Sequence, residues 1–122
     1  METMRIAPPD VRHALTQKVS IQNFTLYITV GFYENKQPCE IFVTVSKEGS
    51  TLAGLMDAIS IGISFCLQYG TPWSILAKKY KHTAFEPSDD KHASIMDLLS
   101  ETVTELVEKF GGKPEFGPKG QE

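Results

Sequence analysis

Cysteine is scarce in this chain. Cys39 and Cys66 are the only two among 122 residues, and no C-x2-C or H-x3-H frame accompanies them. That usage excludes a disulfide scaffold and a thiolate metal site, and it fits small buried hydrophobes in a reducing compartment. No apolar run approaches the roughly 20 residues that span a bilayer, and no apolar stretch of a secretory leader follows Met1–Arg5. A cytoplasmic protein with no membrane partner is therefore expected. Positive charge is also short: 12 Lys and Arg stand against 15 Asp and Glu, a net charge of −3. A dedicated nucleic-acid binder carries a basic surplus instead, whereas a small anionic ligand needs only a few lysines at one place. Neither an internal repeat nor the G-x-x-x-x-G-K-[ST] phosphate loop is present.

What is present is one ordinary globular domain, 41% hydrophobic and 22% charged. Residues 1–18, with Pro8-Pro9 and two arginines, read as a loosely attached arm. Phe24, Leu26, Ile28 and Val30 then alternate with Thr25, Tyr27 and Thr29, and Gly31 ends the run. After the polar turn Glu34–Gln37, Cys39, Ile41, Val43 and Val45 share one face, with Glu40, Phe42 and Thr44 on the other. Together they predict an antiparallel hairpin. Tyr27 and Phe42 put more aromatic surface on the second face than a solvated face wants, which points to cover by a partner chain.

Helices follow. Ser50 or Thr51 caps a first one, whose apolar positions Leu52, Leu55, Met56, Ile59, Ile63, Cys66 and Leu67 recur at helical spacing beside a small-residue stripe of Ala53, Gly54, Ala58 and Gly62. Gly70 closes it, and Thr71-Pro72 starts another with Trp73, Leu76, Ala77 and Tyr80 inward. Pro87 interrupts the pattern, Ser88 or Asp89 caps a last helix carrying Ile95, Leu98, Leu99, Thr102, Val103, Leu106 and Phe110, and Gly111-Gly112 ends it. The expected class is α+β, order ββααα, with three helices on one sheet face and an oligomeric assembly. The domain is bounded at 19–111, with 112–122 a flexible tail.

Two stretches carry candidate binding chemistry. Lys47, Gly49, Ser50 and Thr51 stand at a helix start, where free N–H groups and the helix dipole favour an anion; an ordinary capped helix explains the same residues. Lys78, Lys79, Lys81 and His82, with Tyr80 and Phe85, combine charge with rings that stack on a base; a solvated helix end explains these too. His82 and His92 flank Glu86, Asp89 and Asp90, which permits a hydrolytic or metal-binding reading, but no nucleophile–base–orienter set emerges. The expectation is a non-enzymatic binder with no cofactor and no metal.

The motifs Gly31-Phe32-Tyr33-Glu34, Pro38–Val43, Lys47–Ala58, Leu67-Gln68-Tyr69-Gly70, Phe85-Glu86-Pro87-Ser88 and Ser94-Ile95-Met96-Asp97, in that order, resemble the C-terminal TSCPD-type domain of adenosylcobalamin-dependent ribonucleotide reductases. The resemblance covers about residues 20 to 110. It departs from those enzymes in lacking their catalytic barrel, radical cysteine, cobalamin site and paired tail thiols. Asp89-Asp90 also stands where glycine usually follows the Phe-Glu-Pro-Ser motif. The resemblance therefore implies a binding domain rather than a reductase. By analogy with phage-encoded accessory proteins, it points to an anti-defence sponge for a nucleotide-derived signal such as a cyclic nucleotide or a cyclic ADP-ribose-like molecule. In that reading Lys47, Gly49, Ser50 and Thr51 hold phosphate, Phe85 stacks, and Lys81 and His82 add charge. The alternative is an accessory module whose partner is a ribonucleotide reductase.

Overall fold

Alternation at period two builds three strands, and spacing at three and four residues builds three helices. The computed structural model describes residues 4–46 and 49–111. Strands β1 (Ala14–Ile21), β2 (Phe24–Phe32) and β3 (Pro38–Val45) form one antiparallel sheet in the order β1-β2-β3. Helices α1 (Thr51–Gln68), α2 (Trp73–Tyr80) and α3 (Ile95–Phe110) follow. The class is α+β as expected, with a third strand added to the hairpin. In the β2–β3 register Leu26 faces Val45, Ile28 faces Val43 and Val30 faces Ile41. These inward side chains meet Met56, Ile63 and Leu67 of α1 and Leu99, Val103 and Leu106 of α3 in a single core that also takes Trp73. α3 lies on β1 and β2, α1 on β3, and α2 against α3.

Strand β1 corrects the reading of residues 1–18 as a loose arm. Its inward set includes the polar Gln17 beside Leu15, Val19 and Ile21, and its turn to β2 is Gln22-Asn23, with a positive φ of 52° at Gln22 and no glycine. Both features hide a hairpin from pattern reading. The residues before β1 are tied down as well. Ile6 N–H donates to the Gln68 carbonyl at 2.9 Å, using an acceptor that the end of α1 leaves open. Tyr33 Oη donates to the Ile6 carbonyl at 2.5 Å. Arg12 grips the Glu40 carboxylate through Nε and, at 3.0 Å, through Nη2, and this ion pair raises the Arg12 pKa. Glu40 in turn lies over Gly31, where an added Cβ would stand 2.5 Å from Oε2. Gly31 therefore admits a buried carboxylate, and β2 continues past it to Phe32 through a bulge.

Helix ends follow the sequence in part. Ser50 is the N-cap of α1, its Oγ accepting the Ala53 N–H at 3.1 Å. Thr71 N–H donates to Cys66 O and Gly70 N–H to Leu67 O, at 2.9 and 3.0 Å, with Gly70 at φ 101°; this paired closure needs a left-handed residue, which glycine supplies. Thr71, expected to cap α2, belongs to that closure, and Pro72 is the N-cap without a side-chain bond. Ser94, not Ser88 or Asp89, caps α3, because Asp89 spends Oδ1 on the N–H groups of Lys91 and His92 at 2.9 and 2.7 Å. Two positions expected on the buried side of α1, Leu55 and Cys66, are exposed. The expected tail 112–122 lies outside the described residues.

Candidate functional site

Where α2 ends against α3, the chain leaves a cleft of about 430 Å³. One wall is the α2 flank with Ser74 and Lys78, running into Lys81 and His82; the other is the α3 flank with Ser100, Glu101 and Glu105, and Lys91 and His92 close one end. The helical repeat sets the α3 wall. Asp97, Ser100, Glu101, Thr104 and Glu105 recur at three and four residues beside the buried stripe.

Asp97 holds the cleft's backbone together. Its Oδ1 accepts the His82 N–H at 2.8 Å and its Oδ2 accepts the Ala93 N–H at 2.9 Å, while its own N–H donates to Ser94 Oγ at 3.1 Å. Burial pushes the Asp97 pKa up, but the two backbone donors outweigh it and hold the carboxyl below its ordinary range. This clamp also keeps His82 at φ 65°, a conformation that non-glycine residues seldom adopt. A second acid is occupied too: Glu101 Oε1 lies 2.7 Å from His92 Nε2. Trp73 Nε1 donates to Thr104 Oγ1 at 3.0 Å and Ser100 Oγ to the Ala77 carbonyl at 3.1 Å, fastening α2 to α3. By contrast Lys78, Lys81 and Lys91 enter no ion pair among the described residues. Three ammonium groups thus share one opening with three carboxylates, of which Asp97 and Glu101 already hold partners and Glu105 enters no ion pair among the described residues.

The structure divides the predicted site. Lys81 and His82 line the cleft, and the His82 side chain is 77% exposed. Phe85 is exposed and does not line it; its backbone N–H donates to the Ala93 carbonyl at 3.0 Å. Gly49, Ser50 and Thr51 stand at the start of α1, away from the lining. There Gly49 takes a φ of 77°, and the Ser50 hydroxyl serves as the helix cap. Lys47 lies outside the described residues. Sequence reasoning missed Lys91, Asp97 and Glu101 as cleft residues; the polar flank of α3 was the available signal. His92 meets Glu101 at 2.7 Å and Asp89 at 3.7 Å, and His82 Nδ1 stands 3.7 Å from Asp97 Oδ1, yet no group of three or more His, Cys, Asp or Glu among the described residues is placed to hold a metal.

A second groove, about 520 Å³, runs between α1 and the outer edge of β3 and is lined by Arg5, Phe42, Thr44, Asp57, Ser60 and Phe65 among others. Ser64 Oγ bridges the Ile41 N–H and C=O there, at 2.9 and 3.2 Å, and Gln68 Nε2 donates to the Cys39 carbonyl at 2.9 Å. α1 thereby covers part of an otherwise open strand edge.

Comparison with known proteins agrees with this architecture. The TSCPD domain profile matches residues 2–107, starting well before β1. A vitamin B12-dependent ribonucleotide reductase of Rhodopirellula baltica is 38% identical over 105 residues, covering 85% of this chain and 10% of the enzyme. The Streptomyces clavuligerus enzyme of the same name is 39% identical over 80 residues, 66% of this chain and 8% of that protein. The chain thus spans about a tenth of the length of these relatives. No solved structure gives a significant match. With the profile covering both the sheet and most of the last helix, the chain belongs to the TSCPD domain family.

Proposed function

We propose that this TSCPD domain binds a phosphate-bearing, nucleotide-derived anion in the α2–α3 cleft and holds it without converting it, as a sequestering protein would. One observation carries the reading: Lys78, Lys81 and Lys91 surround a single cleft in which Asp97 and Glu101 are already engaged. Ammonium groups without an ion-pair partner among the described residues, at the mouth of a concave site, favour an anionic ligand, with Glu105 on the α3 wall as the one opposing carboxylate that no partner engages. The Ser74, Ser100 and Thr104 hydroxyls add polar groups along the walls. Gly49, Ser50 and Thr51 do not line that cleft, so the lysines replace the helix start as the phosphate contact.

The test is calorimetric titration of the full chain with ATP, cyclic GMP, ADP-ribose and inorganic phosphate. Micromolar binding of at least one nucleotide is expected, weakened tenfold or more in a Lys78→Glu/Lys81→Glu variant, with the ligand recovered unchanged by mass spectrometry. No heat with any of the four overturns the reading, and recovery of a product makes the protein an enzyme.

A second reading, an accessory module that docks on a ribonucleotide reductase, is favoured by the 38% identity to part of such an enzyme and by Tyr27 and Phe42. Both rings stand exposed on the open sheet face. Co-elution with a purified vitamin B12-dependent reductase, lost in a Tyr27→Glu/Phe42→Glu variant, is its expected result.

A further inference from the structure

The outward side of α1 is unlike any other helix surface in this protein. Leu55, Ala58, Ile61, Phe65 and Tyr69 are all exposed, as are Gly54 and Gly62 between them. Asp57, at the margin, is the only charged residue from Thr51 to Tyr69. Exposed apolar surface of this extent on a soluble domain marks a contact site.

The arrangement within the face identifies the contact. Ala58 lies at its centre. Leu55 and Ile61 stand three residues before and after it, and Gly54 and Gly62 stand four before and after. Leu55 is therefore mirrored by Ile61 and Gly54 by Gly62, while Phe65 is mirrored by the small Thr51. At both glycines the space where a Cβ would go is open, with nothing within 4 Å. Two such helices laid antiparallel about a two-fold axis at Ala58 set Leu55 of each copy against Gly62 of the other, and Ile61 against Gly54. The small residues let the backbones approach, and the opposed helix dipoles attract. A surface that fits itself in this way is what a two-fold homodimer requires.

The area is sufficient. Centred on Ala58, the two helices overlap over residues 51–65, about 22 Å of helix, and pairing them along that length buries on the order of 1,000 Å² in total, where specific interfaces begin. Phe65 and Ile61 also line the groove beside the exposed Phe42, where the Arg5 guanidinium stands 5.1 Å over the Phe65 ring, so the contact continues past the helix with one cation at its rim.

Length and apolar character alone also permit a membrane span, since α1 has 18 residues of mean hydropathy 1.4 with 28% of them buried. The inward side argues for the dimer instead, because Ser64 and Gln68 bind it to the backbone of β3 and leave only one face free.

We propose that the outward face of α1 pairs with the same face of a second copy of this chain, antiparallel and centred on Ala58. The proposal is independent of what the α2–α3 cleft binds. Sedimentation velocity of the full chain across concentrations tests it. The wild type is expected to be a dimer in the micromolar range. Ala58→Glu, an exposed site where a charge does not disturb the core, is expected to weaken dimerisation at least tenfold with unchanged far-UV circular dichroism. Should Ala58→Glu fold poorly, Gly54→Cys and Gly62→Cys chains, each in a Cys66→Ser background, are mixed and oxidised. A heterodimer cross-linked through the two introduced thiols supports the antiparallel pairing, and its absence overturns it. A wild type that is monomeric throughout overturns the proposal. So does a folded Ala58→Glu chain that still dimerises, or a wild type that floats with phosphatidylcholine vesicles while Ala58→Glu does not.

Discussion

Helices α1 and α3 are similar in length, 18 and 16 residues, and cover the same sheet, yet five residues of α1 are buried against ten of α3. α3 crosses β1 and β2 and receives α2 on its flank, so it has neighbours on two sides. α1 sits over β3 at the edge and has one. The outward residues register the difference: Glu101, Glu105, Glu108 and Lys109 on α3, and Leu55, Ile61, Phe65 and Tyr69 on α1. Both helices give the core a buried stripe, but only α3 is covered on more than one side. A helix apolar on two sides has two surfaces to cover, and the described residues of this chain cover one.

The largest expected effect breaks the comparison most directly. Leu99, fully buried on α3, loses about 2–5 kcal/mol of stability when cut to alanine, through lost burial and the cavity left behind. Leu55, 56% exposed on α1, loses less than about 0.5 kcal/mol on the same change in dilute solution, as an uncovered surface position does. Urea denaturation of both variants at low protein concentration measures the pair. Equal losses would mean that α1 is packed within the monomer, and the contrast between the helices would fail.

The same contrast explains what the sequence could and could not reveal. The strands β2 and β3, the α3 stripe and the Gly70 and Gly111 closures were legible because alternation, helical period and left-handed glycine are local signals. Strand β1 was not, because Gln17 breaks its inward set and Gln22-Asn23 is a turn without glycine. The Leu55 and Cys66 positions were misplaced because period shows that residues share a face without showing whether anything meets that face. Of the residues that line the α2–α3 cleft, Lys81 and His82 stood out in the sequence through local charge. The predicted partnership with Gly49, Ser50, Thr51 and Phe85 was not realised, since the cleft is made by α2 and α3 meeting across the Lys81–Ser94 connection. Asp97 was quoted as part of a family motif, but its grip on His82 spans 15 residues, beyond any local pattern.

Asp97 provides the next prediction. On α3 a buried polar group is tolerated because its bonds are complete, and the bonds are to the charged form. Its folded pKa lies below the ordinary 3.8. The stabilisation is therefore fully present above the unfolded value and is lost as pH falls through the folded one. Asp97→Asn keeps the shape but leaves one acceptor oxygen for two backbone N–H groups, so the His82 or the Ala93 N–H loses its acceptor, and at pH near 7 it is expected to cost about 1–3 kcal/mol. In acid, once pH has fallen through the lowered folded pKa, the wild-type carboxyl is itself protonated and the gap between the two proteins narrows. Urea midpoints measured at both pH values check this, and a gap that stays constant with pH would show that the carboxylate charge plays no part in the clamp.

The smallest effect concerns α1, where the equivalent completion fails. Ser60 and Ser64 are one turn apart on the side facing β3. Ser64 Oγ serves both the N–H and the C=O of Ile41, whereas the buried Ser60 Oγ has no hydrogen-bond partner among the described residues. The hydroxyls are chemically identical, so substitution isolates the value of the partner. Ser64→Ala strips the strand edge of its bond and is expected to destabilise by about 1 kcal/mol. Ser60→Ala removes a desolvated group that gains nothing in return, and is expected to be neutral or stabilising by up to about 1 kcal/mol. Paired urea denaturation resolves the sign. A loss at Ser60 as large as that at Ser64 would show that an ordered water joins Ser60 to the β3 edge, and α1 would then satisfy its inward face as fully as α3 does, leaving its outward face as the sole difference between the two helices.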